Sequence, residues 1–296
     1  MRFKDICRKS EMELKTYLHQ KLDMEWHDGF LYRKGTEPIL LVAHMDTIHK
    51  ETPKVIADKR GVISSPQGIG GDDRCGIYMI MQILKKHDCH VVFTEQEEVG
   101  GIGASKFCAS QIAKTLTGKI NYAIELDRRD ANDAVFYECG NTEFKDFILA
   151  DKFWKEANGS YTDICDIAPV LDCSAVNFSC GYHNAHTTDE YVDMREMQTA
   201  LEHVIKTIER SDGKHYEWAQ EKCKSLWKEY DWYGGYSCGG EEFNIIYLNR
   251  DGDVLSEIIY GDTLEEAVGM FLMEHPDVCF NDVQEIYDCD FENQYF

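Results

Sequence analysis

Three apolar runs in this sequence stop abruptly at acidic or histidine side chains. Ile39-Leu-Leu-Val-Ala43 gives way to His44-Met-Asp-Thr47, and Val91-Val-Phe-Thr94 runs out into Glu95-Gln-Glu-Glu98 before Gly100. Ile120-Asn-Tyr-Ala-Ile-Glu-Leu126 ends at Asp127. Runs this continuous suit strands buried on both faces. Between them lie segments of helical character: Ile77–Leu84, entered through the loop Gly68-Ile-Gly-Gly-Asp-Asp-Arg-Cys-Gly76, and roughly 104–116. Strands alternating with helices predict an α/β domain with a mainly parallel sheet flanked by helices. Ligands bind such sheets beyond the carboxyl ends of the strands, which is where the polar motifs fall.

The remaining elements fit around this frame. Ile6, Leu14, Leu18 and Leu22 recur at helical spacing and predict one helix over 3–22. Asp28-Gly29 predicts a hairpin between 24–27 and 30–33, and a second hairpin turns at Lys59-Arg60. A strand is expected at 134–138 and a helix at 143–156. Ala168-Pro-Val-Leu171 and Ala175-Val-Asn-Phe178 read as strand and connection, 181–191 as a polar loop, and Met194–Ile208 as a closing helix. Character changes after Ser211-Asp-Gly213. The expected organisation is a catalytic domain at 1–212, a helical linker at 213–240, and a small β-β-α-β module at 241–296 with its helix at 263–274. No residue cluster in that module can be assigned to chemistry.

Charge and cysteine usage narrow the function class. The net charge of -23 over 296 residues argues against nucleic acid as a partner. Residues 213–296 hold 19 acidic and 5 basic residues, a net of -14, so the tail is more acidic than its length warrants. No apolar run reaches membrane-spanning length, and the start lacks the apolar core of a signal peptide. The expectation is a cytoplasmic protein with no membrane association. Twelve cysteines without a CxxC pair are expected as free thiols.

Five places offer metal ligands: His44 with Asp46, Asp72 with Asp73, Glu97 with Glu98, Asp127, and His186 with nearby His183. Zinc and similar ions take imidazole nitrogen and carboxylate oxygen. Two histidines and three carboxylates can hold two ions if one carboxylate bridges, forming a clamp about 3.5–4 Å across that serves hydrolysis. The chemistry also needs a base that is not a ligand, and adjacent Glu97 and Glu98 can divide those roles. Spacing alone does not say which takes which. In the H-x-D arrangement Asp46 can hold the far ring nitrogen of His44. Taken singly, each position has an ordinary explanation. Asp72-Asp73 could cap a helix, Glu97-Glu98 could be solvated loop charge, and Asp127 could belong to a surface ion-pair cluster.

Together, and in this order, His44-Met-Asp-Thr, Gly71-Asp-Asp-Arg-Cys-Gly, Glu97-Glu-Val-Gly, Leu126-Asp127 and Asn184-Ala-His186 resemble the di-zinc exopeptidases of clan MH. That clan includes metallopeptidase families twenty, twenty-eight and forty-two, among them bacterial aminopeptidases, peptidase T and carboxypeptidase G. The resemblance covers roughly 38–192 and implies a zinc exopeptidase-like three-layer sandwich carrying two divalent ions, zinc or else cobalt or manganese. It implies that Asp72 bridges, that His44 and Asp127 complete one site, and that Glu98 and His186 complete the other. Glu97 is then the general base and Asp46 orients His44. The peptide after the bridging aspartate, Asp72-Asp73, is often cis in these relatives. His183, Tyr182 and Arg128 are candidate substrate contacts, with Arg129 beside them. Only 58 residues separate Asp127 from His186, and 27 separate His44 from Asp72, so the inserts of families twenty and forty-two are missing.

The implied function is hydrolysis of peptide bonds, as an aminopeptidase or a di- or tripeptidase acting on short peptides. Asp127 leans toward aminopeptidases, because relatives that cleave N-acyl groups often carry Glu there. An amidase or deacylase of N-acyl amino acids is the alternative within hydrolases. A non-catalytic binding module on the same fold is the alternative outside them. Relatives without a built-in lid restrict access by assembly or by loops, so a homo-oligomer is among the expectations.

Overall fold

The computed structural model describes residues 2–159, 161–218, 241–248, 254–261, 271 and 283–288. The chain divides into two compact units, Met1–Trp227 and Lys228–Phe296. The first opens with α1 (Phe3–Cys7), α2 (Glu11–Leu22), β1 (Glu25–His27), β2 (Phe30–Arg33) and β3 (Glu37–His44). It continues through β4 (Ala57–Lys59), β5 (Val62–Ser64), α3 (Gly71–Ile83), β6 (Cys89–Thr94), α4 (Ile102–Ala109), α5 (Gln111–Leu116) and β7 (Tyr122–Arg128). Next come β8 (Asp133–Val135), α6 (Thr142–Leu149), β9 (Lys155–Ala157), α7 (Ile164–Leu171), β10 (Ala175–Ser179), β11 (Tyr182–His183), β12 (Tyr191–Asp193) and α8 (Met194–Glu209).

Eight strands form the main sheet in the order β1-β2-β6-β3-β7-β10-β8-β9. Its centre, β6-β3-β7-β10, is parallel throughout. The hairpin β1-β2 adds to β6 antiparallel, and β8 runs antiparallel to β10. The apolar run in β3 accounts for the layering. Ile39, Leu41 and Ala43 join one buried cluster with Ile80 of α3, Phe144 of α6 and Val204 of α8. Leu40 and Val42 join the other with Phe107 of α4 and Leu171 of α7. Successive strand residues face opposite sides, so a continuous apolar run needs a helical layer on each face. The expected three-layer α/β architecture is what forms. The register pairs His44 with Thr94 and Val42 with Glu125, so the ends of β3, β6 and β7 lie along one edge. A smaller sheet, β11-β12-β5-β4, contains the expected second hairpin, with its turn at Arg60-Gly61.

Four local expectations are corrected. The helix over 3–22 is two helices, because Ser10 caps a new start: Glu13 N–H donates to Ser10 Oγ while Ser10 N–H donates to Glu13 Oε2 at 2.9 Å. Ser110 divides 104–116 in the same way by accepting from the Ala113 amide at 3.2 Å. The helix expected at 143–156 stops at Leu149, and Lys155–Ala157 instead pairs parallel with β8. Ala168-Pro-Val-Leu171 belongs to a helix, α7, with Pro169 inside it. Ile164, Ile167, Ala168 and Leu171 are all fully buried at helical spacing, and that stripe outweighs the proline.

Helix α3 lies against β7 closely enough to require glycine at one point. A Cβ on Gly76 would stand 1.7 Å from the Leu126 carbonyl oxygen and 2.6 Å from both carboxylate oxygens of Asp73. Gly76→Ala is expected to cost about 3 kcal/mol, at the upper end of overpacking. That corresponds to a drop in Tm of about 6–12 °C, measurable by a thermal scan. A wild-type Tm would contradict this close approach.

Residues 213–218 still pack on the first unit: the Tyr216 amide donates to Asn121 O at 2.9 Å, and its ring meets Phe144. In the second unit β13 (Glu241–Leu248) pairs antiparallel with both β14 (Val254–Gly261) and β15 (Val283–Asp288). Of the helix expected at 263–274 only the buried Phe271 is described; linker residues 219–240 lie outside the described residues. Among the described residues no helix is long and apolar enough to cross a membrane. Among the described residues of the first unit the cysteines are free, with Cys75, Cys173 and Cys180 buried in the core.

Candidate metal centre

His44 closes β3 with its side chain 1% exposed, and its Nε2 faces two carboxylates: Asp72 Oδ1 at 2.9 Å and Asp127 Oδ1 at 3.4 Å. Asp72 comes from the first turn of α3, where Asp72 and Asp73 depart from helical angles and the peptide between them is cis. Its second oxygen, Oδ2, lies 3.2 Å from His186 Nε2, which is also 3.0 Å from Glu98 Oε2. The Asp72 carboxylate is therefore shared between two histidines far apart in the sequence, one ending β3 and one in the loop between β11 and β12. His44, Asp72 and Glu98 offer ligand atoms that all lie within 4.8 Å of one another, and so do His44, Asp73 and Asp127. Side-chain exposure rises from 1% at His44 through 13% at Asp72 to 54% at His186. The cluster is thus rooted in the sheet and opens to solvent on the His186 side.

Each of these groups is held by neighbours. Asp46 accepts the backbone N–H groups of Glu97 and of Glu98, both at 3.1 Å. Its Oδ1 is also 3.3 Å from His44 Nδ1, although that ring nitrogen has no aligned hydrogen bond. Asp46 therefore fixes the whole Glu97-Glu98 turn in addition to facing His44. The Asp127 amide donates to Asn177 Oδ1 at 2.9 Å. The Thr162 hydroxyl lies between Glu125 Oε2 at 2.7 Å and Asp127 Oδ2 at 3.2 Å. Sequence reasoning missed Thr162, Asn177 and Glu125. The available signal was a polar residue inside an otherwise apolar strand, at Glu125 in β7 and at Asn177 in β10.

Each of the three candidate substrate contacts has a partner within the fold. The Tyr182 hydroxyl donates to the Asp127 carbonyl oxygen at 3.0 Å, bracing that residue. Arg128 donates to Asp133 Oδ2 through Nε and Nη2, both at 3.2 Å. His183 sits between Glu196 Oε2 at 2.6 Å and Asp130 Oδ1 at 3.2 Å, stacked on Tyr191. Arg129 is more exposed, 3.7 Å from Asp130.

The electrostatics show what this centre lacks. Burial pushes the Glu97 carboxyl up to about 8; His44 opposes the shift, while Asp127, Asp72 and Glu98 add to it. Burial, with the field of Asp72, likewise pushes Asp127 up to about 7. Burial opposes charge on His44, but Asp127, Asp46 and Asp72 outweigh it and hold the ring well above its usual value. Hydrogen bonds to Asp72 and Glu98 raise His186 to about 10. Glu98 Oε1 is buried without a hydrogen-bond partner. Carboxylates crowded in a buried space, Asp73 and Glu98 each with an orphaned oxygen and Asp73, Glu97 and Asp127 with raised pKa values, outnumber the nearby imidazoles. Divalent cations would supply the missing charge, and mixed imidazole and carboxylate donors suit zinc-type ions.

No family model matches the sequence, and no curated protein matches it. Solved structures do match in fold. The crystal structure of aminopeptidase PepT from Bacillus cereus aligns over 70% of this chain and 96% of that chain, at 15% identity and a TM-score of 0.55. A tripeptidase from Staphylococcus aureus aligns over 70% of this chain and 95% of that chain, at 12% identity and a TM-score of 0.54. The fold of this chain is thus similar to that of an aminopeptidase and of a tripeptidase.

Proposed function

We propose that this chain is a metal-dependent hydrolase of peptide bonds, an exopeptidase of the aminopeptidase or di- and tripeptidase type. The observation that carries the reading is the Asp72 carboxylate, with one oxygen toward His44 and the other toward His186. A fold shared with an aminopeptidase and a tripeptidase supports it. His44, Asp72 and Asp127 would hold one ion, and Asp72, Glu98 and His186 the other. When bound, two such ions polarise the scissile carbonyl and acidify a water molecule.

The remaining steps belong to the protein. Glu97, whose backbone N–H donates to Asp46, takes a proton from the attacking water and delivers it to the leaving amine. Asp46 keeps the base and the neighbouring ligand in fixed relation. His186, the most exposed of the group, marks the side from which a substrate approaches. On the same reading we place the protein in the cytoplasm, since buried free thiols suit a reducing compartment.

Substrate choice is tested by loading the purified chain with zinc, cobalt or manganese. It is then offered aminoacyl anilides, di- and tripeptides, and N-acyl amino acids. Free-amine substrates are expected to be cleaved at least about tenfold faster than acylated ones, a difference of about 1.4 kcal/mol in transition-state binding. The reverse preference would move the assignment to an amidase or deacylase. A chain that takes up no metal would leave only the non-catalytic binding reading.

A further inference from the structure

Glu190 is a buried acidic side chain that none of the roles above uses. It stands four residues after His186, immediately before β12, and is fully buried. Its Oε2 accepts from the Gly70 amide at 2.7 Å and lies 2.8 Å from His49 Nε2. Its Oε1 accepts from the Asp72 amide at 3.1 Å. A buried carboxylate is tolerated when hydrogen bonds satisfy it, and these three partners do so. They come from two other segments: the loop after His44 supplies His49, and the turn entering α3 supplies Gly70 and Asp72. Glu190 itself follows the loop that carries His186. One carboxylate thus joins the three segments bearing His44, Asp72 and His186.

The surroundings leave little freedom to this arrangement. A Cβ on Gly71 would stand 2.7 Å from Tyr182 Cβ, 2.9 Å from Val192 Cγ2 and 3.2 Å from Glu190 Oε1. A Cβ on Gly68 would stand 2.2 Å from the His49 ring. The backbone of 68–72 is therefore pressed between β12 and the His49 loop, and Glu190 takes up the two amides it presents.

We infer that Glu190 is a positioning residue for the metal centre: by holding the Asp72 amide it sets the direction of the carboxylate shared between His44 and His186. This rests on the metal-hydrolase reading. Glu190→Gln is the informative change because size is preserved while one acceptor becomes a donor. If the amide oxygen takes the place of Oε2, the NH2 group faces the Asp72 N–H. If it is turned the other way, the NH2 group faces the Gly70 N–H. In either orientation a donor meets a donor and the turn shifts.

The test is a zinc titration of the full chain against a competing chelator, with far-UV circular dichroism reporting the fold. Glu190→Gln is expected to bind zinc about 10–100-fold more weakly than wild type, the usual cost of losing a partner that orients a ligand. His49→Ala leaves both amides on Glu190, and a smaller loss, about tenfold or less, is expected. The double variant should bind no more weakly than Glu190→Gln alone, because both changes act through one carboxylate. Wild-type zinc affinity in a folded Glu190→Gln would overturn the inference. Should that variant not fold, Glu190→Asp decides, because it keeps both acceptor oxygens but draws them back by one methylene from the Gly70 and Asp72 amides: unchanged affinity overturns the inference, and a weakened one supports it. A wild-type chain that binds no zinc would instead defeat the metal-hydrolase reading itself.

Discussion

Glu97→Gln is expected to lower kcat by about 10²–10⁴-fold, the usual contribution of a positioned general base, while bound metal stays at the wild-type level. The amide keeps the size and the backbone attachment to Asp46 but cannot accept a proton from water. Among the described residues no hydrogen bond or ion pair occupies the Glu97 carboxylate, whereas Glu98 Oε2 is 3.0 Å from His186. On the proposed function, that difference suits Glu97 to the base role and Glu98 to the ligand role. Glu98→Gln should accordingly lose metal together with activity. Metal analysis of both variants beside their turnover separates the roles. If Glu97→Gln lost metal while Glu98→Gln kept it, the two assignments would be exchanged.

Asp72→Asn should have the other large effect, and it should be cooperative. One carboxylate faces His44 and His186 at once, so neutralising it weakens both positions together. The expected loss of metal affinity exceeds about 100-fold, the upper end for a mere orienting partner, and turnover falls with it. His186→Ala, by contrast, removes a half-exposed ligand from one position only and should leave the other ion bound. Metal content by mass spectrometry across a zinc titration distinguishes the two patterns. One fully occupied ion in Asp72→Asn would show that the positions are independent and that Asp72 does not bridge.

Much of this side-chain cluster was legible in the sequence because its members sit where apolar strand runs stop. His44 is the last residue of β3, Asp127 the last but one of β7, and Glu97-Glu98 follow β6. A buried strand has a sharp hydrophobic signature, so its end can be read to within a residue or two. The helices were less legible. Ser10 and Ser110 divide apolar stripes that continue across them, and a single capping hydroxyl is a weaker signal than the stripe it interrupts. In α7 the error was of another kind: Ala168–Leu171 was read as part of a strand and connection, although four buried residues keep helical spacing around Pro169. The supporting polar groups were hardest to see. Thr162, Asn177 and Glu190 lie 35, 50 and 118 positions from the ligand groups they hold, and no local pattern marks a long-range hydrogen bond.

The two ends of the eight-stranded sheet bear on how copies of this unit meet. The outermost strands, β1 and β9, are three residues each, and charged side chains at Glu25, Lys155 and Glu156 are exposed on them. Short, charged borders offer few unpaired amides in register and resist strand addition. A continuous sheet running from one molecule to the next is therefore disfavoured, which protects the folded unit from fibrillar growth at high concentration. Contacts between copies of this unit then fall to its helix faces and loops, and would respond to salt and to surface charge rather than to pairing of the eight-stranded sheet.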